Sequence, residues 1–331
     1  MSYIKIILTA GLVVLIVIGT TQILTYVNLQ KFSTTPKSIF FKNSSPVQTP
    51  PKNMPTQKNN PNPQKPITKK YKHSWGVYTG DTASSLASFQ QQINKQPDIS
   101  ASFVGWGDNF PTDVATPLKQ SGQTLLIFWE PTNTTLDQII SGSTDPYISQ
   151  FASDAKNYEN SIILVPMPEM NGNWDSWDGT ATGNTPAKYI QAYKHIHDLF
   201  SGVQNVKFGW AVNNDSVPDT PENAIANYYP GDNYVDYVGV DGFNFGDPWQ
   251  SYSEIFSKAL QQLKIYNKPI YIFSMACAQG PQKAAWITDA ISQIQSNPDI
   301  VGWVWFNTNK EQNWLINSDP ASLQAFQNSL N

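Results

Sequence analysis

Carboxylates, carboxamides and indoles recur together from Trp129 onward in this 331-residue chain, each group at the end of a short apolar run. The densest cluster is Glu169-Met170-Asn171-Gly172-Asn173-Trp174, with Trp177 close behind. Trp129-Glu130-Pro131, Asn213-Asn214-Asp215, Asp241-Gly242-Phe243-Asn244 and Trp305-Phe306-Asn307 share the arrangement, while Ser274 stands alone after its run. A carboxylic acid held partly out of water can protonate a poor leaving group such as a glycosidic oxygen. Amides and carboxylates hydrogen-bond hydroxyls, and an indole stacks on the apolar face of a pyranose ring. The combination points to sugar chemistry. Glu169, Trp129, Glu130, Asn171, Trp174, Trp177, Asn213, Asp241, Phe243, Asn244 and Trp305 are the candidate site residues. The plainer reading of Glu169, a carboxylate that only hydrogen-bonds its Asn and Trp neighbours, stays open at this stage.

Other chemistries find little support. There is no Arg, so a bidentate guanidinium fork for phosphate or carboxylate is missing. His73 precedes the first apolar run, and His195 and His197 fall inside a helical stretch, so no His stands ready to activate Ser274. Cys277 is the lone cysteine and reads as a small buried residue. No cofactor and no metal are expected. Residues 1–80 hold ten Lys and no acid, which leaves residues 81–331 with 25 acids against eleven Lys, about −14. That charge repels nucleic acid, and an uncharged polysaccharide suits it better.

The elements that position these groups are eight β-rich runs near 74–78, 101–106, 124–129, 161–165, 206–212, 237–240, 269–273 and 300–306. Helical patterns separate them, such as 186–200, opened by Thr185 as N-cap and Pro186, and 283–295. Eight strand–helix alternations predict an α/β fold, a (β/α)8 TIM barrel over 73–331, with its chemistry at the C-terminal ends of the strands. Trp286, inside the second helix, reads as core.

Ahead of the barrel, residues 1–31 carry a stretch close to the ~20 apolar residues that span a membrane. No small-residue cleavage site follows, so an uncleaved signal anchor is expected. Lys31, Lys37 and Lys42 outnumber Lys5, so the charge rule gives no support to export of the C-terminal side. An extracellular barrel, monomeric and membrane-anchored, is expected all the same. A stalk makes sense outside the cell, and residues 32–72, rich in Pro, Asn and Lys, read as a disordered linker.

The segment Val165-Pro166-Met167-Pro168-Glu169-Met170-Asn171-Gly172-Asn173-Trp174 resembles the hallmark of glycoside hydrolase family 26, the β-mannanase family. Trp75-Gly76-Val77-Tyr78, Tyr229-Pro230-Gly231-Asp232 and Lys268-Pro269-Ile270 are similar to the family in the same order. The resemblance implies hydrolysis of mannan-type β-linked polysaccharide, with Glu169 as acid/base and a second Glu past strand seven as nucleophile, about 5 Å away. At that nucleophile position this chain has Ser274. It also has Val165, Pro168 and Phe243 where the family has Arg, His and Tyr. The resemblance therefore leaves two outcomes: hydrolysis with Glu130 or Asp241 as second carboxylate, or an inactive descendant that binds glycan at the cell surface.

Overall fold

The computed structural model describes residues 73–330. Eight strands, β1 (Ser74–Tyr78), β2 (Ile99–Gly105), β3 (Thr124–Glu130), β4 (Ile162–Pro166), β5 (Val206–Asn213), β6 (Tyr237–Asn244), β7 (Ile270–Cys277) and β8 (Ile300–Phe306), close into one barrel. Every neighbouring pair is parallel, and β8 pairs back onto β1 from Ser74 opposite Gly302 to Tyr78 opposite Phe306. The helices are α1 (Ala83–Ile93), α2 (Thr112–Ser121), α3 (Leu136–Ile140), α4 (Asp145–Tyr158), α5 (Pro186–Leu199), α6 (Tyr252–Leu263), α7 (Lys283–Ser296) and α8 (Pro320–Ser329). Between β5 and β6 two short 3-10 turns, 221–223 and 225–228, stand where the repeat would place a helix.

Side chains on successive strand residues point to opposite faces, which divides the apolar residues into two clusters. Leu126, Phe128, Ile163, Val165, Ala211, Tyr271, Phe273 and Val304 fill the lumen. Their alternates Leu125, Ile127, Trp129, Leu164, Trp210, Trp303 and Trp305 face the helices. The lumen has room for few rings, and glycines on adjacent strands make that room. A Cβ on Gly239 would lie 2.3 Å from Phe273 Cδ2, and one on Gly302 would lie 2.3 Å from Tyr271 Cε1.

The helices begin where local chemistry dictates. Thr185 caps α5 by accepting from the Lys188 N–H, as predicted, and Ser251 and Glu254 form a capping box on α6. Both predicted helices are present to within one residue. The strands agree closely except β6 and β7, which run four residues past their predicted ends. Asp241 and Ser274 therefore sit on strands, paired with each other, and not on loops. The cause is a bulge: Val240 pairs Ile272 whereas Asp241 pairs Ser274, so Phe273 is inserted as an extra residue. Phe273 and Ser274 then both face the axis, one in the lumen and one in the cleft above it.

The predicted anchor (1–31) and linker (32–72) lie outside the described residues. Among the described residues no helix is long and apolar enough to cross a membrane.

The lumen's dependence on its glycines can be tested directly. Gly239→Ala would drive a methyl into the Phe273 ring and to within 2.5 Å of the Tyr271 carbonyl oxygen. We expect a loss of about 1–3 kcal/mol, read as a lower melting temperature. A melt equal to wild type would contradict the packing described.

Candidate functional site

The backbone after β4 holds Glu169 in an unusual conformation. Met167 and Glu169 both have left-handed φ, 52° and 57°, although neither is Gly. Each costs roughly 1–2 kcal/mol, so the segment must be fixed by its surroundings. It is. Met167 N donates to Trp129 O (3.0 Å), Glu169 N to Ala211 O (3.0 Å) and Gly172 N to Glu169 O (2.8 Å). Trp177 Nε1 donates to Pro168 O at 2.7 Å, and the Tyr189 hydroxyl donates to Met167 O at 3.1 Å. The result aims the Glu169 carboxyl into a cleft of ≈ 630 Å³ at the C-terminal mouth of the barrel.

Carboxylates surround that carboxyl. Burial, then the charges of Asp175, Asp178 and Glu130, raise the Glu169 pKa far above the usual range, and the Trp174 indole opposes this as a donor. Asp241, on β6, is buried close to Glu169. Desolvation first, and the Glu169 charge second, push its pKa upward, partly offset by the Ser274 backbone N–H. Two buried carboxyls that interact so closely cannot both ionise easily, and they hold a proton between them. Glu130 is raised to about 7 by burial and Asp175, against the pull of Lys310. Asp175 is raised to about 6 by burial, again against Lys310. Asp178 is raised to about 7 by burial, although its Oδ2 accepts from the N–H groups of Trp174 (2.8 Å) and Asp175 (2.9 Å).

Of the residues singled out in the sequence, Glu130, Glu169, Trp174, Asn213, Asp241, Phe243 and Ser274 line this cleft together. Five do not. Trp129 and Trp305 have the opposite strand parity to Glu130 and Phe306. They are fully buried against the helices, with Trp129 stacked on Phe151 and Trp305 edge-on to Trp286 and Phe326. Trp177 is also buried, its N–H spent on the Pro168 carbonyl. Asn171 is fully buried and ties two loops together, donating to Asn213 O (3.0 Å) and accepting from Asn213 N (2.9 Å). Asn244 is fully buried too and serves the backbone of its own loop. Trp286 and Cys277 are core, as expected, and His195 pairs with Asp145 at 2.6 Å on the outer helix layer.

The cleft also contains residues that sequence reasoning missed: Phe103, Phe128, Asp175, Phe245, Phe306, Lys310, Glu311 and Trp314. Strand parity could have found Phe128 and Phe306, which share a face with Glu130. Lys310, Glu311 and Trp314 lie on the loop after β8. That loop is pinned from below by the buried Lys283 ammonium, which donates to Asn313 O (3.0 Å) and Leu315 O (2.8 Å). Nothing in the local sequence signals that contact.

The Glycosyl hydrolase family 26 model matches residues 88–329 of this chain, nearly the whole barrel. The chain belongs to glycosyl hydrolase family 26. Endoglucanase H of Acetivibrio thermocellus is 38% identical over 268 residues, covering 77% of this chain and 30% of that protein. A mannan endo-1,4-beta-mannosidase of Bacillus subtilis is 28% identical over 186 residues, 52% of this chain and 46% of the relative. The chain thus spans less than half the length of either relative. The solved family 26 β-mannanase from Bacteroides ovatus shares the fold with a TM-score of 0.60 at 17% identity, covering 79% of this chain and 88% of that one. In this family 26 barrel Ser274 is 4% exposed and lines the cleft on the strand beside Asp241, so no carboxyl projects from that point of β7.

The buried carboxyls link proton binding to stability. Their folded pKa values lie above their unfolded ones, so their contribution is greatest at low pH and is lost as pH rises through the folded values. Between pH 5 and 8 the melting temperature should therefore fall as pH rises, with Glu130 and Asp178 titrating at about 7. Asp241→Asn, which removes one member of the Glu169 pair, should flatten the slope. A slope unchanged in that variant would refute the shared proton.

Proposed function

We propose that this family 26 barrel acts on a neutral, mannan-type β-linked polysaccharide, with Glu169 delivering a proton to the glycosidic oxygen as the C1–O bond breaks. The observation that carries the reading is Glu169 itself, a cleft carboxyl kept protonated beyond the usual carboxylate range by burial and by Asp175, Asp178 and Glu130. A general acid must hold its proton at working pH, and this environment supplies that condition. The charge of the cleft supports an uncharged substrate, since Glu130, Glu169, Asp175, Asp241 and Glu311 line it and Lys310 is paired to Glu311 at 2.9 Å. The relative named for mannan endo-1,4-beta-mannosidase activity supports a β-linked backbone.

Departure of the leaving group must be matched by attack at C1. The Ser274 hydroxyl has only Asp241 beside it, a carboxyl that burial and Glu169 hold towards its protonated form, so it lacks an ionised base for that role. Asp241 interacts directly with Glu169 and is pushed towards its protonated form, whereas water activated on the opposite sugar face needs an ionised carboxyl roughly 6.5–9.5 Å from the acid. Glu130, which ionises near 7, is the base in this reading. A second reading, glycan binding without cleavage, is favoured by Ser274 standing where the family's nucleophile is expected. On the sequence alone, we propose that residues 1–72 tether the barrel at the outer face of a membrane.

One experiment separates the readings: full-length protein is incubated with mannan, glucomannan and xylan while reducing ends and calorimetric binding are measured. Under hydrolysis, product release disappears in Glu169→Gln and in Glu130→Gln, persists in Ser274→Ala, and climbs as pH passes about 7, where Glu130 ionises. Binding without product retires hydrolysis in favour of the second reading. In that case Ser274→Glu, which returns a carboxyl to the cleft floor, should create release. Neither binding nor product sinks both.

A further inference from the structure

Three large apolar residues stand out as exposed among the described ones, and two of them, Trp174 (50%) and Phe245 (51%), line the same cleft. Trp174 follows β4 and Phe245 ends the β6 side, with Asn213 of β5 in the same wall. An isolated exposed ring needs no explanation, but a ring held in place by buried polar bonds does. Phe245 is such a ring. It lies 5.2 Å edge-on from Trp314 and 6.2 Å from Phe243, so aromatic neighbours brace the ring while half the residue stays exposed at the cleft.

The loop carrying it is rigid for a specific reason. The Asn244 side chain, fully buried, donates to Gln250 O at 2.7 Å and accepts from Gly246 N (3.0 Å) and Gln250 N (3.2 Å), closing the loop on itself. Trp286 Nε1 reaches from α7 to the same Gln250 carbonyl at 3.0 Å. Trp249 packs so closely on Gly280 that a Cβ there would lie 3.0 Å from the ring. Burying a carboxamide and an indole N–H under a surface loop costs free energy unless both are bonded. Here both are, and what they hold in place is an exposed phenyl ring.

We propose that Phe245 is a stacking platform for a pyranose ring of the bound glycan and that Asn244 is the positioning residue that fixes its orientation. The inference rests on the glycan reading above and adds to it a second sugar contact beside Trp174. A preformed ring loses little side-chain entropy on binding, so its stacking is delivered almost undiminished. Stacking needs a flat ring, which makes the chemistry of the side chain diagnostic.

The test measures binding of β-1,4-linked mannohexaose and cellohexaose to the full-length protein and its variants by calorimetry. Phe245→Ala and Phe245→Leu should each weaken the better-bound hexasaccharide by about three- to tenfold, while Phe245→Trp keeps or improves it. Asn244→Ala should weaken it to a similar degree, and adding it to Phe245→Ala should weaken binding no further, because both changes remove one platform. If wild type binds and Phe245→Ala or Phe245→Leu binds equally well, the platform is refuted while the glycan reading survives. Additive losses in the double variant would overturn the positioning role of Asn244. If wild type binds neither hexasaccharide, the glycan reading and the platform fall together.

Discussion

Closure of eight parallel strands is the constraint on which everything else in this molecule depends. Once β8 pairs with β1, alternate residues are committed either to a lumen of fixed width or to the layer beneath the helices. The lumen is packed with Phe128, Phe273 and Tyr271 against glycines, so it is a floor and not a channel. Chemistry starts where that floor ends. Glu130, Asn213 and Asp241 are the next inward residues of β3, β5 and β6, placed by the same parity that sends Trp129 and Trp210 outward. A bulge at Phe273 breaks this rule on β7, and it puts Ser274 beside Asp241.

Floor and loops together create the electrostatics. A carboxyl in open water keeps its ordinary pKa, and Glu169 departs from it because the left-handed turn through Met167 and Glu169 holds it over a dry floor among other acids. Strain in that turn is tolerated because its peptide groups are bonded to Trp129 and Ala211 on both neighbouring strands. Barrel packing and proton affinity are thus one problem: loosening the floor would let water in and lower the acid's pKa.

Much of this was legible in the sequence. Eight apolar runs give eight strands, two of them with identical ends, because a strand in a parallel barrel is buried on both faces and must be apolar throughout. Glu169 and Trp174 could be placed because the Asn- and Gly-rich segment after β4 cannot continue a strand. The errors share one origin. Trp129, Trp177, Asn171 and Asn244 read as sugar contacts by residue type and Trp305 by family resemblance, yet their neighbours bury them: Trp129 and Trp305 by parity, Trp177 by the Pro168 carbonyl, the amides by the loops they tie. Residue type shows what a side chain can do, and parity shows where it points. Phe245 was invisible because its exposure depends on Asn244, Gln250 and Trp286, groups that meet only in three dimensions.

Ser274 takes its meaning from that electrostatic setting. A glutamate on β7 beside Asp241 would add a further negative charge to a floor where Glu169 and Asp241 already share a proton. Repulsion among three adjacent carboxyls destabilises the folded state, and an enzyme tolerates such strain because catalysis requires it. A hydroxyl there removes the charge and leaves the acid pair, the Asp178-braced Trp174 loop and the aromatic wall of Phe243, Phe245 and Trp314 in place. The effect of a serine at this point of β7 is thus chemically confined: it leaves the cleft floor without a third carboxyl there and does not disturb the groups around it.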